Sequence, residues 1–254
     1  MSTHPALDAA FLLGHPLSFA AALLVVFAAF YVRATIGFGS GLISVSLLTL
    51  LFPIKAVVPV VLLLDLLGAL ALGAYDLRQM RPRELGWLLP GSLLGVLAGA
   101  QVLRDSAAQQ LTLFLGLFII AYVLYAVLIK PERLPRIGPA WALPLGLLGG
   151  VIGSLYGGGG PPIVAYLQMR HLDKRAFRAT FQAIALVDNG ARGFVYAAFG
   201  LMYLPQVEAF MVLAPAVLAG LLLGNRLHFR IRHETFLRAT LAVLFAVGMK
   251  YLLY

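Results

Sequence analysis

Cysteine is absent from all 254 residues, which excludes disulfide staples, thiol catalysis and thiolate metal sites. Charge is scarce as well. Asp, Glu, Lys and Arg make up 11% of the chain and apolar residues 61%, against about one-quarter and one-half in a soluble domain. With a mean hydropathy of +0.94, the solvent this chain calls for is lipid. No polar stretch is long enough for a separate aqueous domain, so residues 1–254 read as one membrane domain. The first ten residues carry no Lys or Arg. The basic region of a cleaved signal peptide is thus missing, and the mature chain is expected to begin at Met1. An intramembrane enzyme would need a nucleophile and base, or metal ligands, at membrane depth. Neither is present: His4, His15, His171, His228 and His233 fall in the N-terminal segment or in or near loops, and no His-Glu-x-x-His motif occurs. No cofactor is expected.

The excess of basic residues, +9 in net charge, lies in short loops between apolar spans. A nucleic-acid partner would need them in one stripe. Runs such as Val57 to Ala74, Leu111 to Ile129 and Val207 to Leu223 approach or reach the roughly 20 residues that cross a bilayer.

The chain repeats itself. Gly37 and Gly39 match Gly157 and Gly159 at an offset of 120, with Gly41 opposite Pro161; Pro90, Gly95 and Gly99 recur as Pro215, Gly220 and Gly224 at an offset of 125. Five identities in register divide the chain into one copy over about 17–129 and another over about 141–254. Each opens with a glycine-broken apolar stretch, Leu17 to Phe52 and Trp141 to Met169. Three plain spans follow each: about Val57 to Tyr75, Glu84 to Leu103 and Ala108 to Ile129, then Phe177 to Gly200, Glu208 to Leu223 and Glu234 to Leu253. Lys and Arg accumulate in cytoplasmic loops. Four loops hold most of them: Arg78, Arg81 and Arg83; Lys130, Arg133 and Arg136; Arg170, Lys174, Arg175 and Arg178; Arg226, Arg230 and Arg232. Placing all four inside requires each broken stretch to enter and return, which predicts ten membrane segments, five per copy, with the second copy inverted and both termini outside. Eight spans in parallel copies are the alternative. Inverted repeats with broken helices are an architecture of secondary transporters, with substrate near the midplane.

Two features could carry chemistry. The breaks Gly37-Phe38-Gly39-Ser40-Gly41 and Gly157-Gly158-Gly159-Gly160-Pro161-Pro162 interrupt helices at depth, where unwound backbone is tolerated only against protein or a water-filled cavity. A helix start after each would offer a positive dipole end and free amides to an anion, with Ser40 a candidate cap. Close helix packing is the plainer meaning of those glycines. The second feature is the ionisable set inside spans, Arg33, Asp65, Asp188 and Arg192, with Gln101, Gln182 and Asn189 nearby. Such charges must face protein or water. Asp188 and Arg192, four residues apart, either neutralise each other or serve the substrate. Arg33 has no partner in its own helix and reads as an anion contact or gate, with Asp65 its alternative partner or a proton carrier. Gly91, Gly95 and Gly99, echoed by Gly220 and Gly224, point to close packing within the chain, or to a homodimer face. Tyr156, Tyr166 and Trp87 read as wall or interfacial aromatics.

The glycine motifs, the run Gly149 to Pro162, the segment His171 to Thr180 after it and the run Pro90 to Gly99 resemble the sulfite exporter TauE/SafE family of membrane permeases. The resemblance spans nearly all of the chain. It implies transport of small sulfur oxyanions or organosulfonates, typically sulfite, across a bacterial cytoplasmic membrane. The first break, which is not an unbroken glycine cluster, and Arg33, which stands where the second copy has Gly153, depart from the pattern. The combined expectation is an all-helical, inverted-repeat transporter. Its anion would rest on amides around Gly39 to Gly41 and Gly159 to Gly160, with compensating charge from Arg33 and Arg192. Asp65 or Asp188 would carry a coupled proton. An anion channel is the nearest alternative class, an intramembrane enzyme a distant one.

Overall fold

A computed structural model describes residues 7–73, 79–129, 134–157, 159–227 and 233–253, and among them the secondary structure is helical throughout. Gly158 and the loop cations Arg78, Lys130, Arg133, Arg230 and Arg232 lie outside the described residues. The helices are α1 (Ala9–Gly14), α2 (Pro16–Ile36), α3 (Ser40–Leu48), α4 (Ile54–Gly73), α5 (Pro82–Asp105), α6 (Ala108–Leu128), α7 (Ala142–Tyr156), α8 (Gly160–Met169), α9 (Lys174–Ala198), α10 (Leu204–Leu227) and α11 (His233–Leu253). Among the described residues, six stretches are long and apolar enough to cross a membrane: α2, α4, α5, α6, α10, and α7 with the short turn before it. The protein is a multi-pass membrane protein.

Local chemistry accounts for most boundaries. Pro16 and Pro82 open α2 and α5, where a missing amide hydrogen costs nothing. Asp173 caps α9 by accepting from the Arg175 and Ala176 amides at 3.0 and 2.9 Å, and these bonds, Ala176's first, hold its carboxyl below the usual carboxylate range. The short α1 has no counterpart in the sequence-level segments; Asp8 caps it through the Phe11 amide at 2.6 Å.

The glycine-broken stretches fold back on themselves. α3 packs on α2, and α8 on α7. At the far end of α8 the Ile137 amide donates to the Met169 carbonyl at 3.3 Å, and Arg170 Nη1 donates to the Ile137 carbonyl at 2.7 Å. The chain has returned to the start of α7. At the first break, Phe52 beyond α3 meets Phe11 before α2, with ring centroids 6.0 Å apart.

Small residues make the seams between helices. α5 and α7 lie so close that a Cβ on Gly91, Gly95 or Gly99 would strike the α7 backbone, and one on Gly146 or Gly150 the α5 backbone. Gly220 and Gly224 of α10 meet the α2 backbone at Phe27 and Tyr31 in the same way. The repeated glycine spacing therefore serves packing within the chain. Large apolar side chains such as Leu94, Phe114, Leu117, Met211 and Leu222 are exposed, as lipid-facing residues should be. Polar residues instead collect inside, among them Arg33, Asp65, Gln182, Asp188 and Arg192.

Replacing Gly150 by Leu is expected to destabilise the fold by about 1–3 kcal/mol, the cost of overpacking a tight interface. Gly86→Leu, on the same seam's helix α5 but with open space around it, is expected to leave stability unchanged. Unfolding midpoints of the detergent-solubilised variants check both.

Candidate functional site

The two glycine breaks meet. α2 ends where Gly37 turns left-handed at φ 102°, its amide donating to the Arg33 carbonyl at 2.7 Å. Gly39 is left-handed again at φ 98° before α3 starts at Ser40. Two such residues within three positions are cheap only for glycine. Gly157 ends α7 likewise, at φ 64°, with its amide on the Gly153 carbonyl at 2.9 Å. Gly159, however, is right-handed at φ −59°, so the sequence correspondence of the two breaks holds at their first glycines and not their second. The first turn of α3 lies on the second break: a Cβ on Gly41 would collide with the Gly157 carbonyl oxygen.

A cavity of about 100 Å³ opens beside this junction, roomy enough for several waters or a small oxyanion. Of the residues singled out in the sequence, Arg33, Gly39, Ser40, Gly41, Asp65, Gly157, Gly159, Gly160, Asp188, Asn189 and Arg192 line it. Gly37 does not, although its carbonyl accepts from Gln182 Nε2 at 3.1 Å. Gln101 lies elsewhere, exposed and bonded to Asp105. Tyr122 of α6 and Thr240 of α11 also line the cavity; a hydroxyl on a plain apolar span gave no sequence signal for them.

The charges inside are arranged unequally. Arg33 and Asp65, 3% and 4% exposed, form an ion pair, Nη1 to Oδ1 at 3.1 Å. Ser40 Oγ donates to the same Oδ1 at 2.5 Å, and Arg33 Nη2 donates to Gln182 Oε1 at 3.2 Å. α2, α3, α4 and α9 are thereby tied at one point. Ser40 is not the cap of α3. Gly39 holds that position, with no side-chain cap bond, because the neighbouring carboxylate takes the hydroxyl. Asp188 and Arg192 form no ion pair either, despite their spacing. Ser92 of α5 donates to Asp188 Oδ2 at 2.6 Å, Arg192 Nη1 donates to the Gly153 carbonyl, and Asp188 Oδ1, Arg192 Nε and Arg192 Nη2 are buried with no partner.

The helix starts differ as donors. α3 offers the amides of Ser40, Gly41 and Leu42 in its first turn, free of helical partners. In α8, Pro161 and Pro162 remove two, leaving the dipole and the amides of Gly159 and Gly160. A second polar cluster gave no signal in the sequence: Glu84, buried in the first turn of α5, accepts from Tyr166 Oη at 2.6 Å and Arg170 Nε at 2.9 Å, anchoring the end of α8. Tyr166 is thus bonded inside the fold, whereas Trp87 is exposed. The described residues hold no cluster suited to a metal ion.

Arg33→Ala is expected to cost about 3–5 kcal/mol of stability, because it strands a buried carboxylate. The double variant R33A/D65A is expected to recover much of that loss. A double-mutant cycle on denaturation midpoints checks this; independent, additive losses would contradict the pairing.

Comparison with known proteins bears on the whole arrangement. Over 191 residues, 74% of this chain and 80% of the relative, it is 29% identical to the Probable inner membrane transporter protein TsaS of Comamonas testosteroni. Over 230 residues, 88% of this chain and 89% of the relative, it is 26% identical to the Probable sulfite/organosulfonate exporter TauE of Cupriavidus necator. No solved structure matches the chain significantly. The sulfite exporter TauE/SafE family matches residues 22–251, and the chain belongs to that family of membrane transporters.

Proposed function

We propose that this transporter carries small sulfur oxyanions or organosulfonates, sulfite foremost, out across a bacterial cytoplasmic membrane. The observation that carries the reading is the cavity itself. It lies among apolar helices, yet its wall holds two guanidiniums, two carboxylates and the unwound backbone of both glycine breaks. Buried charges at membrane depth are costly and mark substrate or ion pathways. The starts of α3 and α8 turn their positive dipole ends toward the junction, and Arg192 adds a cation there. The names of both relatives agree with a transporter, and one names the substrate class.

In this reading the chain is an inverted repeat of two five-segment units. α2 and α3, like α7 and α8, are re-entrant hairpins, and the ten segments place the basic loops inside. The helix pairings support the two-fold repeat in it. Exchanging α2 for α7, α4 for α9 and α5 for α10 turns the α5–α7 contact into the α10–α2 contact and the α5–α9 contact into the α10–α4 contact. α4 packs on α9 and α6 on α11, each meeting its own counterpart. The inverted halves give alternating access around one cavity, with a proton on Asp65 or Asp188 as coupling ion. Membership in a transporter family sets the chain apart from enzymes.

Counterflow in proteoliposomes tests the function: labelled sulfite is expected to enter against saturable exchange, and unlimited voltage-driven current would make the protein a channel. The orientation is tested in a chain that has no cysteine of its own. Single cysteines at Arg81 and Arg175 are expected to react with an impermeant maleimide from the same side of the membrane. Labelling from opposite sides would overturn the inverted repeat.

A further inference from the structure

The cavity's two guanidiniums are not in the same state. Arg33 donates to Asp65 and Gln182 through both of its terminal nitrogens, and only its Nε has no partner. Arg192 donates through Nη1 alone, to the Gly153 carbonyl, and its Nε and Nη2 have no partner. Those two N–H groups point in parallel from one edge of the guanidinium plane, the edge that receives two oxygens of a carboxylate or sulfonate side by side. One turn earlier on α9, Asp188 has one oxygen satisfied by Ser92 and the other, Oδ1, without a donor. Arg192 is 3% exposed and Asp188 8%, so bulk solvent does not make good the missing bonds. Buried unpaired polar atoms each cost about 1–3 kcal/mol, more when charged.

We propose that the Nε and Nη2 edge of Arg192 receives two oxygens of a singly charged oxyanion, and that Asp188 Oδ1 holds the proton that enters with it. The assignment rests on the reading of this chain as an oxyanion transporter and names the contact and the coupling site within it. Charge balance carries the second half. Arg33 and Asp65 cancel. With Asp188 ionised, Arg192 is balanced too, and an arriving anion would leave an uncompensated negative charge in a medium that stabilises it poorly. With Asp188 protonated, the cavity carries one positive charge, the anion neutralises it, and the Oδ1 hydroxyl becomes a donor to an oxygen of the anion.

The surroundings put that proton on Asp188. On its own helix it faces Arg192. From α4 comes Asp65, already held by Arg33 and Ser40. From α5 come Ser92 and, at its start, Glu84, bonded to Tyr166 of α8 and Arg170. Tyr122 of α6 is on the cavity wall. Asp65 has a cation and a hydroxyl on one oxygen; Asp188 has a hydroxyl alone. One proton therefore moves with one anion, and Arg33 with Asp65 stays in place as scaffold.

The test uses the full chain in lipid nanodiscs and labelled methanesulfonate, the anion of a strong acid, so that any proton dependence belongs to the protein. Wild-type affinity is expected to fall as pH rises, as a site that binds only when protonated requires, with one proton taken up per anion by a pH-indicator dye. Arg192→Lys keeps the charge but removes the paired edge, and is expected to weaken binding on the order of ten-fold or more. Asp188→Asn is expected to bind with its pH dependence gone. Arg192→Lys within about two-fold of wild type, Asp188→Asn with an unchanged pH profile, or anion uptake without a proton would each overturn the assignment. If Arg192→Lys fails to fold, the Asp188→Asn profile and the proton count on the wild type decide. Wild-type protein that binds neither methanesulfonate nor sulfite at any pH would bring down the oxyanion-transporter reading itself; binding that the variants leave unmoved overturns only the roles of Arg192 and Asp188.

Discussion

Everything in the centre of this protein depends on a backbone contact that a single methyl group would abolish. The first turn of α3 lies against the carbonyl of Gly157, with no room for a side chain on Gly41. Because the two breaks touch, their helix starts and the charges behind them share one cavity. Asp65 also lies against Gly41, so the same contact sets where that carboxylate can sit, and with it the ion pair to Arg33 and the hydroxyl of Ser40. Two glycine breaks held apart would be two separate defects in a membrane protein. In contact, they line one cavity.

The packing around the junction follows from the solvent. In lipid there is no hydrophobic driving force to press helices together, so association comes from close approach and interhelical hydrogen bonds. The α5–α7 and α10–α2 seams use the first, through Gly95, Gly150 and Gly220. The interior uses the second, through Ser92 to Asp188, Ser154 to the Val96 carbonyl and Tyr251 to the Ser46 carbonyl. A fold held this way can leave a few polar atoms unsatisfied without unfolding, and three of them belong to Arg192 and Asp188 on the cavity wall. A transporter needs that imbalance, since a cavity whose charges were all paired would gain little from an arriving anion.

Much of this architecture is legible in the residues alone. Helix breaking by paired glycines is a local property, so the interruptions at Gly37 and Gly157 and the helices on either side followed from the residues in those places. Apolar length gave the helices at the plain spans to within a few residues, but α9 and α11 are not among the six stretches of the described residues that are long and apolar enough to cross a membrane. Partners were a different matter. Asp65, 32 positions from Arg33, stands in the sequence as its alternative partner or a proton carrier, whereas Gln182 meets Arg33 across 149 positions, a separation over which one sequence carries no pairing signal. Helical spacing left open whether Asp188 and Arg192 would pair or serve the substrate; in the fold Ser92 reaches the carboxylate and the Gly153 carbonyl takes the guanidinium. Ser40 had the chemistry of a cap, yet Asp65 competed for its hydroxyl and won. Glu84 stood in the sequence only as the first residue of a span, because Tyr166 and Arg170 come to it only when α8 folds back.

The central claim is that contact between the breaks creates the site. It is tested most directly by Gly41→Ala, measured for labelled anion binding on protein that still elutes as a folded particle. The account predicts loss of binding, because the new methyl pushes α3 off Gly157 and Asp65 out of register with Arg33. Wild-type affinity in that variant would contradict it.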